Sequence, residues 1–307
     1  MFVEEKRYRA ISDCYREKFG GKVAKIALDS GFTCPTRDGS LGTGGCIFCS
    51  GRGSGDFASS RLLSITEQIH QGKTQTAKKW TPVGYIAYFQ AFTNTYAPVS
   101  ILREKYEEAL ACDGILGLSI ATRPDCLSEE ILDLLEEINE KTSLWVELGL
   151  QSAKEETAAF IRRGYSTAVF DEAVRALAKR NISVVAHLIL GLPKETENDL
   201  LDTIHHINRL PLEGVKLQLH HILKDTDLAA LWEAGQVPVL SEEEYLLQLC
   251  AAISHLREDI TIHRLTGDGP RQLLLAPLWS LNKKQVRNHL AKKLKEENIY
   301  QGMFYSP

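Results

Sequence analysis

The chain has 307 residues, 44% of them hydrophobic and 25% charged, a balance that excludes a disordered or low-complexity protein. Its formal net charge of -4 gives no global electrostatic case for nucleic acid, and no apolar run reaches bilayer-spanning length. The charged start "MFVEEKRYRAISDCYREKFG" lacks the apolar stretch of a signal peptide, so the expectation is a cytoplasmic protein, without a membrane, whose seven cysteines stay reduced.

In chain order, a charged N-terminal segment (1–22) is followed by a short β-rich run, "VAKIAL" (Val23–Leu28). That run leads into "GFTCPTRDGSLGTGGCIFCSGRGSGD" (Gly31–Asp56), too glycine-rich to be core, which carries Cys34, Cys46 and Cys49. Five more β-rich runs follow: "VGYIAYF" (83–89), "ILGLSIA" (115–121), "LWVELGL" (144–150), "ISVVAHLIL" (182–190) and "VKLQLHH" (215–221). Between them lie stretches of helical period such as "SEEILDLLEEINE" and "STAVFDEAVRALAKRN", where Ser128 and Ser166 are the expected N-caps.

Strand–helix alternation predicts a right-handed βα series with a parallel sheet. The first βα turn holds the cysteine loop where a dinucleotide fold would have G-x-G-x-x-G. Six repeats fall short of the eight of a closed barrel, so the expected fold is α/β, a partial, laterally open parallel (β/α)6 barrel over 23–223. After about Leu223 the rhythm stops. A helix over 242–258, a strand over 260–265 and a basic helix over 282–298 predict a C-terminal α+β accessory extension (224–307) packed on the barrel.

Catalytic groups of such barrels sit where strands meet the following helices. Here those junctions carry Cys34, Gln90, Thr122–Arg123, Gln151–Ser152, Gly191 and His220–His221. Neighbouring side chains on a strand face opposite ways, so at most one of His220 and His221 is expected to point inward. Cys14, Cys112, Cys126 and Cys250 are scattered and read as small buried hydrophobes.

The loop's spacing is C-x11-C-x2-C. One C-x2-C pair suits a metal, but structural zinc would need a fourth ligand from elsewhere. A cubane iron–sulfur cluster fits better, since three thiolates leave one iron open to a small molecule. Glycines suit a loop that must bring backbone N–H groups close to sulfide.

The motifs "KIALDSGFTCPTRDGSLGTGGCIFC", "AYFQAFTNTYAP", "LSIATRPDCL", "WVELGLQS", "RRGY", "LILGLPKET", "KLQLHHILKDTDLA", "HRLTGDGPR" and the terminal "YQG" cover the chain nearly end to end. Together they resemble radical S-adenosylmethionine (SAM) enzymes, in the YhcC/YtqA-type branch with elongator-like radical SAM domains. The long first cysteine gap departs from the superfamily's C-x3-C-x2-C and agrees with the branch. The resemblance implies a [4Fe–4S] cluster on Cys34, Cys46 and Cys49, with SAM on the fourth iron. It also implies one-electron cleavage of SAM to methionine and a 5′-deoxyadenosyl radical that abstracts hydrogen from substrate.

The same resemblance implies roles for other residues. Gln151 and Arg163 would lie near the methionine end of SAM, and Gly191 and Pro193 in a loop whose backbone approaches adenine. Gln90 and Asn94 would replace a missing G-G-E in contacting the cofactor's amino group. Glu147 is expected either at the cofactor or as a barrel-layer carboxylate held by a basic neighbour. His187 stands where relatives carry an acidic residue, leaving a ribose contact and a core histidine as alternatives. Candidate catalytic groups are His187, His220, His221 and Arg264, with Arg123, Asp125 and Asp268 also at the expected substrate approach.

The branch is also similar to MnmL-like tRNA-modifying enzymes, which implies conversion of carboxymethylaminomethyl to aminomethyl at C5 of the wobble uridine. In that reading tRNA is the partner, Lys283, Lys284, Arg287, Lys292 and Lys293 contact its phosphates, and flavodoxin or ferredoxin is the one-electron reductant. The alternatives are a radical SAM enzyme acting on another RNA, a peptide or a small molecule, and a non-catalytic iron–sulfur or zinc protein that senses redox state or binds RNA.

Overall fold

A computed structural model describes residues 6–306. Six strands, β1 (Val23–Leu28), β2 (Gly84–Phe89), β3 (Ile115–Thr122), β4 (Ser143–Gln151), β5 (Ser183–Leu190) and β6 (Gly214–Leu219), pair in parallel, each with its neighbour in sequence. Beyond β6, β7 (Ile222–Leu223) leaves the sheet, whereas β8 (Thr261–Arg264) adds to β6 as a seventh parallel strand. A short antiparallel ribbon joins β7 to β9 (Leu274–Ala276). The sheet therefore crosses the boundary expected at Leu223, because the tail strand covers an edge that β6 would otherwise leave open.

Helices α1 (Ile11–Phe19), α2 (Ile65–Ala77), α3 (Val99–Leu110), α4 (Glu129–Lys141), α5 (Glu155–Phe160), α6 (Thr167–Lys179), α7 (Glu197–Asn208), α8 (Asp227–Glu233), α9 (Glu242–His255) and α10 (Lys283–Glu296) complete the described chain. The outer face of the sheet is apolar: Ile26, Leu28, Phe89, Leu118, Ile120, Val146, Leu148 and Leu188 form one core with the helices. Burying each such side chain is worth about 1.5–3 kcal/mol. Some helix starts are locally encoded. Ser64 with Glu67, Thr196 with Asp199 and Ser241 with Glu244 close reciprocal capping boxes on α2, α7 and α9. The expected caps Ser128 and Ser166 make no side-chain cap bond; Glu155 Oε1 takes the Thr167 N–H at 2.6 Å instead.

Edge strands β1 and β8 both line one cavity, so the sheet curls into a half-barrel open between them. Its inner face is tiered. Ile86, Trp145 and Val185 form an apolar floor closed by Tyr15 of α1, whose ring meets Trp145 edge-on at 5.7 Å. Above it stand Lys25, Tyr88, Ser119, Glu147, His187 and Lys216, linked by hydrogen bonds. Gln90, Gln218 and His220 line the cavity above, together with Phe48, Ser50 and Ser54 of the cysteine loop.

Candidate active site

The cysteine loop, between β1 and α2, has turns but no strand or helix from Gly31 to Leu63. Ile47 anchors it. Its N–H donates to Ile161 O at 3.2 Å, its carbonyl accepts from Leu228 N–H at 3.1 Å, and its side chain packs with Ile161, Leu192, Ile222 and Leu228. This fixes the backbone between Cys46 and Cys49. Arg37 Nη2 donates to the carbonyls of Cys49 (3.1 Å) and Ser50 (2.9 Å). Two glycines are obligatory at this density. Gly45 has φ +69° and a Cβ there would lie 2.7 Å from Arg37 Nε; Gly53 has φ +57° and a Cβ would lie 2.3 Å from the Phe92 ring.

Each thiol meets a polar neighbour. Thr93 Oγ1 donates to Cys34 Sγ at 3.0 Å, Cys46 Sγ lies 3.7 Å from Arg162 O, and Cys49 Sγ lies 3.4 Å from Ser54 Oγ. Burial pushes Cys46 up to about 12, and the neighbouring Cys49 and Cys34 add to the rise while Arg123 and Arg37 oppose it. Burial also raises Cys34, against the Thr93 hydrogen bond. The three sulfurs thus share one electrostatic site, and thiolates there need a multiply charged centre to hold them. Among the described residues no set of three or more His, Cys, Asp or Glu forms a ready-made site for one metal ion. A cubane asks for something different, thiolates on separate irons spaced by the body of the cluster.

Two side chains at strand ends carry buried polar atoms without partners, and one of them, His220, lines the cavity under this loop. Gln151 ends β4 with φ +61° and its buried Oε1 has no hydrogen-bond partner. His220, 3% exposed, has neither ring nitrogen hydrogen-bonded. Gln90 lines the same cavity as His220 and donates to Ser54 O at 2.8 Å. Gln90 and His220 fit a site that takes a polar ligand at the strand ends.

Several expected site residues are engaged within the chain. Arg163, 1% exposed, donates to the carbonyls of Leu150, Ser152 and Tyr165 at 2.8–2.9 Å and to Thr167 Oγ1 at 3.1 Å, with Glu155 at 3.5 Å. Its whole fork is engaged at the β4–α5 junction. Asn94 is equally committed: Nδ2 donates to Phe89 O and Ala121 O, and Oδ1 accepts from Ser30. Gly191 (φ +78°) faces Leu240, whose side chain would lie 2.6 Å from an added Cβ; Pro193 is buried in the following turn.

Glu147 is an interior carboxylate held by four partners. Lys25 Nζ (3.0 Å) and Ser119 Oγ (2.5 Å) reach Oε1, and His187 Nε2 (2.7 Å) and Lys216 Nζ reach Oε2. Burial opposes its charge, yet Lys216, Lys25 and His187 hold its acid well below the usual range. Lys25 is held above its ordinary value by Glu147 despite burial, whereas burial drives Lys216 well below its own. An ionised Glu147 needs a cation, and we assign that role foremost to Lys25, which retains an opening to the cavity. Burial, then Lys216, lowers His187 to about 4, while Glu147 opposes the fall through the Nε2 contact.

His220 and His221 both line the cavity, contrary to the alternation argument, because β6 ends at Leu219 and the pair lies in non-strand backbone. Burial lowers each to about 4. Arg123 turns away from that cavity: it grips Asp125 (2.7 and 2.9 Å) and Arg163 O (2.9 Å), and stacks over Tyr165 at 4.8 Å. Arg264 and Asp268 do line the cavity. On α10, Lys283 pairs with Asp268, Lys292 with Glu296 and Lys293 with Glu297 and Glu243. Lys284 and Arg287 are exposed without an acidic partner among the described residues, a smaller basic patch than the sequence implies.

Residue-type patterns missed Lys25, Lys216, Arg37 and Thr93. Cys126, read as a scattered core cysteine, lies close enough to Cys34 that a charge there raises it; burial first of all pushes its thiol up to about 12. Its position at the C-terminal end of β3 was the available signal.

The chain is similar to known proteins over most of its length. The profile described as Radical SAM superfamily matches residues 40–207, and Radical_SAM C-terminal domain matches 212–296. YtqA of Bacillus subtilis (strain 168) is 46% identical over 301 residues, covering 98% of this chain and 94% of that protein. A tRNA uridine(34) acetyltransferase of Methanocaldococcus infernus is 27% identical over 166 residues, 52% of this chain and 30% of that protein. The solved archaeal Elp3 of M. infernus, lacking its N-terminus, shares the fold with TM-score 0.68 at 18% identity, over 91% of this chain and 64% of that one.

Proposed function

This chain belongs to the radical SAM superfamily, and from that premise we propose that Cys34, Cys46 and Cys49 hold its cluster and that its substrate is the wobble uridine of tRNA. Its cofactors are a [4Fe–4S] cluster and SAM, which when bound supply one-electron cleavage of the sulfonium to methionine and a hydrogen-abstracting 5′-deoxyadenosyl radical. The observation that carries the cysteine assignment is the convergence of three mutually interacting thiols in the loop that lines the same cavity as the unpartnered His220. Ile47 and Arg37 anchor the loop, and Tyr15 packs on the apolar floor beneath the Glu147 tier.

The reaction is conversion of carboxymethylaminomethyl to aminomethyl at C5. Hydrogen leaves the carbon between amine and carboxylate; a second electron would replace the one the cluster spent on SAM, and the amine proton would pass to water. Water then adds to the C=N bond and the C–N bond breaks, releasing glyoxylate. SAM is the net two-electron oxidant, ending as methionine and 5′-deoxyadenosine. Support for a tRNA substrate is the similarity to the tRNA uridine(34) acetyltransferase and the unpaired Lys284 and Arg287 on α10. Flavodoxin or ferredoxin is the proposed reductant, and residues 224–307 the proposed accessory unit.

Anaerobic reconstitution with iron and sulfide, then reduction with dithionite in the presence of SAM, should yield 5′-deoxyadenosine. Cys34→Ala, Cys46→Ala and Cys49→Ala should each abolish it together with the cluster's visible absorption; robust product from any of them overturns the ligand assignment. For the substrate, nucleosides of tRNA from cells with and without the gene are compared. Unchanged wobble uridine in a host that makes the aminomethyl form would remove that reading.

A further inference from the structure

The cavity under the cysteine loop, about 300 Å³, contains an uncompensated positive charge. Arg264 ends β8, one edge of the open sheet, and Lys25 stands on β1, the other edge, so both flank the lateral mouth of the half-barrel. Both also line a second cavity towards α1, which places them at the partition between the two. Among the described residues Arg264 has one side-chain bond, from Nη1 to Gln218 Oε1 at 3.4 Å, and no carboxylate within salt-bridge distance. His187, Lys216 and Arg264 are register partners across β5, β6 and β8, a row of three basic residues on adjacent strands.

Lys216 and His187 of that row meet Glu147, but among the described residues no carboxylate reaches Arg264. Glu147 is enclosed by its four partners. Asp56 accepts from Ser50 Oγ at 2.9 and 3.1 Å, and Asp268 pairs with Lys283. A half-buried guanidinium without a counter-ion is costly unless a ligand supplies one. A second observation marks the same cavity as a ligand site: buried His220 lines it with both ring nitrogens unpartnered.

We propose that Arg264 and Lys25 form a clamp for an oxyanion of the substrate, with Arg264 as the specificity-determining residue. Arg264 offers the planar fork that matches a carboxylate or phosphate, and Lys25, whose charge answers Glu147, offers its remaining N–H from the opposite edge. His220 offers a neutral hydrogen-bonding partner for an uncharged part of the same molecule. Resting on the function proposed above, the oxyanion is the carboxylate that distinguishes carboxymethylaminomethyluridine from its product. The product lacks it and loses the clamp, which favours release.

The test uses the reconstituted protein with SAM and no reductant, and calorimetric titration with three probes: 5-carboxymethylaminomethyluridine, 5-aminomethyluridine and uridine 5′-monophosphate. The acidic nucleoside should bind about tenfold or more tighter than the aminomethyl nucleoside. Arg264→Gln should bring that ratio close to one, and Arg264→Lys should restore part of it. Preference for the monophosphate alone, lost in Arg264→Gln, supports the clamp for a phosphate and counts against the wobble-side-chain reading. The clamp is overturned by a wild-type ratio near one, by no binding of any probe, or by a ratio that Arg264→Gln leaves intact. It is also overturned if Arg264→Gln weakens only SAM, since the oxyanion would then be the cofactor's carboxylate. Should Arg264→Gln fail to fold, the wild-type ratio and Arg264→Lys decide the matter. Turnover of modified tRNA judges the proposed reaction separately.

Discussion

His220 holds a buried imidazole with neither nitrogen hydrogen-bonded, and burial lowers it from 6.5 to about 4. Its folded value lies below its unfolded one, so between those limits the unfolded chain binds the proton first. Stability therefore falls as pH drops from 6.5 to 4. In His220→Gln the pH dependence of the unfolding free energy over that window should shrink by as much as about 3 kcal/mol. Denaturant titrations at several pH values measure this, and an unchanged slope would mean His220 is hydrated or paired. The residue itself stands at a predicted strand–helix junction, and was legible there. Its lack of partners was not, since that depends on Gly191, His221 and the loop over it.

At the scale of elements, helix starts differ in how locally they are written. Ser64 accepts from Glu67 N–H at 3.1 Å and its own N–H donates to Glu67 Oε2 at 2.8 Å. Ser64→Ala should cost about 1 kcal/mol. Ser166 looks equally good in sequence, yet makes no cap bond because Glu155, on the preceding helix, takes the nearby Thr167 N–H. Ser166→Ala should stay within about 0.5 kcal/mol of wild type. Chemical denaturation of the two variants side by side checks the contrast. The same limit applies to strands. Alternation located β1 to β6 within a residue or two of their ends, but placed the His pair on β6 when the strand stops at Leu219.

Across the whole molecule, α1 is the stopper of the half-barrel. Tyr15 packs with Ile86, Trp145 and Val185 directly below the Glu147 tier. Tyr15→Ala should destabilise the protein by about 3–5 kcal/mol. It should also open the floor, so that the backbone amides of Trp145 and Val185 exchange hydrogen faster while those of the outer helices do not; uniform exchange would contradict a local plug. Among the described residues no helix is long and apolar enough to cross a membrane.

Periodicity and spacing are short-range properties, and so the chain alone carried the βα order, the half-barrel, the cysteine loop and the basic α10. Charge partners are long-range. Lys25 and Glu147 lie 122 positions apart and meet only because four parallel strands bring them to one face. The commitment of Arg163 and Asn94 to backbone carbonyls, the seventh strand contributed by the tail, and the unpaired Arg264 all arise from that closure. A motif shows which chemistry a side chain carries, whereas the surrounding fold settles whether its hydrogen bonds go to the protein or remain open to a ligand.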